Sequence, residues 1–300
     1  MKGLTTFRAL SAMGLATAAI ATSAAQTQLV FWDFNESNPL DETAMLAADG
    51  GVFASQAQLS VALAVFRFNN SGSGFRGSPQ DPNNSNHPNP PNWALQTTSY
   101  PAQGENSGQA GVVVSMPTTG YKDIIVKFDV RWSNTSSKYL AVEYTTDGGL
   151  NWTRVRTLEA KRGDRWHSEP DPNGYGELVQ IDLSADASVN NNAQFAFRVV
   201  TIFDPATNQY TAANFPNNPS ATYSSNGTLR YDLIEVLGTE VSSGPEGDVN
   251  GDGCVDDADL LVVLFNFGNE GGQGDVNSDN IVDDADLLVV LFNFGAGCGG

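Results

Sequence analysis

A thirteen-residue acidic segment occurs twice near the end of the chain. Gly247-Asp248-Val249-Asn250-Gly251-Asp252-Gly253-Cys254-Val255-Asp256-Asp257-Ala258-Asp259 returns 27 residues later as Gly274-Asp275-Val276-Asn277-Ser278-Asp279-Asn280-Ile281-Val282-Asp283-Asp284-Ala285-Asp286. Each copy is followed by the nonapeptide Leu-Leu-Val-Val-Leu-Phe-Asn-Phe-Gly, at 260–268 and 287–295. A unit this short cannot bury its own apolar face, so two copies must pack together.

The acids are spaced as an oxygen cage. A hard cation such as Ca²⁺ takes oxygens from positions 1, 3, 5, 7, 9 and 12 of a twelve-residue loop. The first loop offers Asp248, Asn250, Asp252, the carbonyl of Cys254, Asp256 and Asp259; the second offers Asp275, Asn277, Asp279, the carbonyl of Ile281, Asp283 and Asp286. Position 6 needs a residue that tolerates positive φ, and the loops place Gly253 and Asn280 there. Position 12 is Asp where the EF-hand pattern has Glu, so this carboxylate must approach the ion closely or bind it through one oxygen. Helix capping alone would explain one or two acids per copy; it does not explain the full spacing twice. Two calcium ions are therefore expected.

Each nonapeptide reads as a short helix closed by a glycine, Gly268 or Gly295. Its apolar face would be Leu260, Leu261, Leu264 and Phe265, repeated as Leu287, Leu288, Leu291 and Phe292, and the two faces are expected to bury each other. No helix can enter either loop, because Gly244-Pro245-Glu246-Gly247 and Gly271-Gly272-Gln273-Gly274 precede them. Loop then helix, twice, resembles the dockerin family over residues 248–295, about a sixth of the chain. That resemblance implies two bound calcium ions and docking onto a cohesin-like protein or another cell-surface component. Loop positions 10 and 11 are Asp257-Ala258 and Asp284-Ala285, where many cellulosomal dockerins carry a hydroxyl pair.

Charge narrows the partners. Fifteen Lys and Arg stand against 34 Asp and Glu, a formal net charge of −19, which would repel a phosphate backbone and excludes nucleic acid. From Gly244 onward there are twelve acids and no Lys or Arg. Lys2 and Arg8 precede the apolar run Ala9–Ala21 and the small-residue site Ser23-Ala24-Ala25, so residues 1–25 read as a signal peptide and an extracellular location is expected. Leu260–Phe267 is too short to span a membrane. In an oxidising compartment Cys254 and Cys298 are expected to form a disulfide.

Residues 26–239 alternate with period two, as in Ile124, Val126, Phe128, Val130 and Trp132, and again in Leu140, Val142 and Tyr144. The expected fold is mainly β: an antiparallel jelly-roll-like β-sandwich, a linker at 240–247, and a small helical calcium module from 248 to 300. Thr145-Thr146-Asp147-Gly148-Gly149-Leu150-Asn151-Trp152 resembles an Asp-box turn, a structural motif. Catalytic residues are not legible. There are only two histidines, His87 and His167, and no Gly-x-Ser-x-Gly elbow; Glu143, Asp182, Asp232 and Glu235 are carboxylates that a glycosidase could use. Asp33 and Asp232 are candidates to share a structural cation. Trp93 and Trp166 are candidates to stack on the sugars of a polysaccharide. Three functions follow: a non-catalytic recognition or surface protein tethered by its tail, a polysaccharide-degrading glycoside hydrolase or its accessory, and a purely structural secreted protein.

Overall fold

A computed structural model describes residues 26–35, 46–67, 77–82, 92–170, 172, 174–241, 244–277 and 279–298. The expected signal peptide and His87 lie outside the described residues.

Twelve strands carry the larger part: β1 (Gln26–Trp32), β2 (Gln58–Ala62), β3 (Val65–Arg67), β4 (Leu95–Thr98), β5 (Gly111–Ser115), β6 (Tyr121–Trp132), β7 (Tyr139–Thr145), β8 (Thr153–Glu159), β9 (Arg165–Trp166), β10 (Val179–Asp182), β11 (Ala196–Ile202) and β12 (Leu229–Glu240). They form two antiparallel sheets. One runs β10-β6-β12-β4-β3, with β1 on β12 and β9 on β6; the other runs β2-β5-β11-β7-β8. The expected β-sandwich is what forms.

Period-two sequence explains the packing. Ile124, Val126, Phe128, Val130 and Trp132 of β6 all point inward, against Val112 and Val114 of β5, Leu140 and Val142 of β7, and Phe197 and Val199 of β11, in one continuous core. β12 departs from strict alternation: Tyr231, Ile234 and Val236 all reach the core, which a regular strand cannot arrange. A register shift between Asp232 and Glu235 absorbs the extra residue, and Leu233 takes φ 49° within it. Asp232 thereby lies beside Asp129 on the outer face.

The tail holds two helices, α1 (Asp257–Asn266) and α2 (Asp284–Phe292). Each starts at an aspartate N-cap, Asp256 or Asp283, in a capping box with Asp259 or Asp286. Their packing corrects one expectation. The shared core is Val255, Val263, Val282 and Val290, with Leu260 and Leu287 partly buried against it. Leu261, Leu264, Phe265, Leu288, Leu291 and Phe292 are exposed instead. At 100° per residue, Leu261 and Phe265 lie on the far side of the helix from Val263, so they cannot join the same seam. Among the described residues no helix is long and apolar enough to cross a membrane.

Candidate functional site

The repeated loops fold around their first carboxylate. Asp248 accepts the amides of Gly251 (2.8 Å) and Asp252 (3.1 Å) on Oδ1 and of Gly253 (2.8 Å) on Oδ2. Asn250 Oδ1 accepts from the Asp252 amide, Asp252 Oδ1 from Cys254, and Asp256 Oδ1 from Ala258. The second loop repeats the set: Asp275 accepts from Asp279 and Asn280, Asn277 from Asp279, Asp279 from Ile281, and Asp283 from Ala285. The position-6 residues, Gly253 and Asn280, have φ 92° and 73°.

At position 12 the carboxylates tie each loop to the start of its helix. Asp259 and Asp286 are fully buried. Asp259 Oδ1 accepts from Val249 and Asn250 and Oδ2 from Asp256; Asp286 repeats this with Val276, Asn277 and Asp283. Burial pulls the Asp286 carboxyl up, but the amides of Asp283, Asn277 and Val276 outweigh it and hold it below the ordinary value.

The donor set fits a hard divalent cation in kind: carboxylates, Asn amide oxygens and the carbonyls of Cys254 and Ile281, with no Lys or Arg in the tail to neutralise them. Each carboxylate oxygen bound by one amide keeps a further acceptor position. Among the described residues no three His, Cys, Asp or Glu side chains converge as a metal-ligating group. Cys254 and Cys298 are joined, with Cα atoms 4.4 Å apart.

Around this unit lies an apolar surface duplicated with the repeat. Leu261, Leu264, Phe265 and Phe267 are exposed, as are Leu288, Leu291, Phe292 and Phe294; Phe265 and Phe292 reach 82% and 83%.

On the sandwich, the proposed sugar platforms are not free rings. Trp166 is only 5% exposed, although β9 pairs it with Arg131 on the outer face of β6. Trp93 packs against the main core and its indole nitrogen is buried without a partner. His167 is buried, its Nδ1 2.7 Å from the Glu177 carbonyl oxygen and its ring stacked on Tyr175. Burial pushes its pKa down.

The carboxylates are dispersed. Glu143 binds Arg154 and Arg198, Asp182 accepts from the Ser184 amide, and Glu235 binds Lys127 and Gln28. Asp33 accepts from the Asn35 amide, whereas Asp232 lies in register with Asp129. This buried pair escaped sequence reading. Ser78 donates its amide to Asp232 (2.6 Å) and its hydroxyl to Asp129 (2.6 Å), and Ser168 gives Asp129 its amide (3.1 Å) and its hydroxyl. Burial pushes Asp129 up to about 6, against those hydrogen bonds. Burial raises Asp232 further, aided by Asp81 and Asp129.

The Asp-box turn forms as a structural device. Asp147 accepts from Thr145 Oγ1 and from the amide and side chain of Asn151, and Trp152 lies under the Arg198 guanidinium at 4.2 Å. An open trough of about 420 Å³ is lined by Lys127, Arg156, Glu177, Leu178 and Gln180.

No protein-family model matches the sequence, and no curated protein matches it. Among solved structures, the chain is similar to the N-terminal CBM22-1–CBM22-2 tandem domain of Xyn10C from Paenibacillus barcinonensis, at 12% identity and a TM-score of 0.37, over 71% of this chain and 50% of that one. It is similar to the CBM22-1–GH10 modules of a Clostridium thermocellum endo-1,4-beta-D-xylanase complexed with xylohexaose, at 7% identity and a TM-score of 0.37, over 75% of this chain and 32% of that one. It is also similar to the mannan-recognising module TmCBM27, at 12% identity and a TM-score of 0.34, over 72% and 99% of the two chains. The chain thus spans about half and about a third of the first two.

Proposed function

We propose that this chain is an exported, non-catalytic recognition protein, tethered through a dockerin-like tail that two calcium ions organise. The observation that carries the tether is the apolar surface. A soluble unit of this size has no reason to expose Leu261, Leu264, Phe265 and Phe267, and then the same four residues 27 positions on, unless a partner covers them. Helix capping needs the acids but not these side chains. The partner is a protein, cohesin-like or another cell-surface component, that presents an apolar patch within a basic rim, because the tail carries twelve acids and no base.

Asp248, Asn250, Asp252, Cys254, Asp256 and Asp259 would hold one ion, and the matching residues of the second copy the other. The role of calcium is to neutralise carboxylates that otherwise repel one another, and so to hold the loops that start α1 and α2. The test is retention of a surface protein from the source cells on the immobilised full chain. Retention in calcium, with loss in chelator and in Phe265→Ser/Phe292→Ser, supports the tether; retention indifferent to both removes it.

A second reading concerns the sandwich. With Trp166 buried and Trp93 partly buried against the core, the trough at Lys127, Arg156, Glu177, Leu178 and Gln180 offers several hydrogen-bonding groups to polysaccharide hydroxyls. Affinity electrophoresis in polysaccharide gels should show retardation that Lys127→Ala/Gln180→Ala weakens, with no sugar released. Release of reducing ends would instead make the chain a hydrolase.

A further inference from the structure

The two loops differ in how their second half is held. In the first, the end of the chain runs back across positions 6 to 8. Val255 donates its amide to Ala296 (3.0 Å) and accepts from Gly295 (2.7 Å), and a Cβ on Gly297 would come within 2.2 Å of the Gly253 carbonyl oxygen. Cys254, whose carbonyl is the position-7 donor, is bonded there to Cys298. The second loop has the same crossing made by the segment after α1: Gly268 donates to Val282 (2.8 Å), Val282 to Asn269 (3.0 Å) and Gly271 to Asn280 (2.9 Å). The repeat offset of 27 places Ile281 where the first copy has Cys254, and Gly271 where it has Cys298, so hydrogen bonds alone secure this copy. Position 6 differs as well, because Asn280 holds its positive φ with a side chain that Gly253 lacks.

Resting on the calcium reading above, we propose that the two sites are unequal by construction: the Cys254–Cys298 bridge pre-forms the first loop, which therefore binds calcium more tightly than the second. The bridge fixes the peptide that carries the position-7 carbonyl, so less conformational freedom is lost when the ion arrives. The second loop must be ordered by the ion itself. Reducing conditions would then cost the protein its first site's advantage: a dithiol supplies two electrons and two protons, closes to its own disulfide and leaves two thiols.

Calorimetric titration of the full chain with CaCl₂ tests this. The oxidised protein should show two steps about tenfold or more apart, the tighter removed by Asp248→Ala and the weaker by Asp275→Ala. Cys254→Ser/Cys298→Ser should weaken the tighter step by about tenfold and leave the other unchanged. Asn280→Gly, which leaves the bridge intact, should strengthen the weaker step severalfold. The inequality is overturned if Asp275→Ala removes the tighter step, or if the serine pair shifts both steps alike or neither. Two steps that ignore the bridge overturn only the inequality; no calcium heat from the oxidised chain overturns the calcium reading and the inequality together.

Discussion

Asp129 and Asp259 show two ways a buried carboxylate can be held without a basic partner. Asp259 is held by three backbone amides. Asp129 has two hydroxyls and two amides but sits so deep that burial still wins, lifting it to about 6. For Asp129 and Asp286 the consequences for pH have opposite sign. A carboxyl raised above its unfolded value binds its proton more tightly when folded, so its contribution is full below about pH 4 and is lost as pH climbs through about 6. The sandwich should therefore gain stability on going from pH 7 to pH 5, by on the order of 1 kcal/mol from Asp129. Asp129→Asn should flatten that slope in calorimetric melts at the two pH values. Asp286, held below its ordinary value, has stability present above the unfolded value near pH 4 and lost as pH falls through the folded value. Acid should thus loosen the tail while it tightens the sandwich.

At the level of the element, α1 and α2 invert the usual relation between side-chain size and stability. Val263, small but fully buried, sits in the seam, while Phe265 is 82% exposed. Val263→Ala should cost the tail about 1–2 kcal/mol. Phe265→Ala should change thermal stability by about 0.5 kcal/mol or less while removing partner binding. Equal losses from the two substitutions would mean that the exposed face is not a docking surface. These helices also mark the limit of what the sequence discloses. Their presence, their N-caps at Asp256 and Asp283 and their closing glycines are written locally, because capping chemistry and positive φ depend on a few neighbouring residues. Which stripe faces inward is not: Leu, Val and Phe surround each helix, and only the partner helix selects the valines. The same holds in the sandwich. β6 and β7 are plain from alternation, whereas the pairing of Asp129 with Asp232 beneath Ser78 and Ser168 is not, because those segments are remote in sequence. Trp166 misleads for the same reason: it lies on the outer face of the sheet among polar neighbours in sequence, yet it is buried.

Across the whole molecule, the sandwich has a core large enough to stand alone, and the tail does not. The tail's core is four valines with a few partly buried neighbours, so ion and disulfide contribute what burial cannot. A bridge spanning 44 residues restricts the unfolded tail by about 4 kcal/mol in the chain-entropy account. Two separate thermal transitions are expected. The one belonging to the tail should fall sharply with chelator and reductant together, and the sandwich transition should hardly move; a single transition shifted as a whole would contradict that division. The central claim is that two calcium ions organise the acidic tail. Equilibrium dialysis of the full chain against calcium, with metal content measured per chain, should give two ions above the dialysate, and none in Asp248→Ala/Asp275→Ala. No excess in the unaltered protein, or an excess undiminished in the double variant, would contradict it.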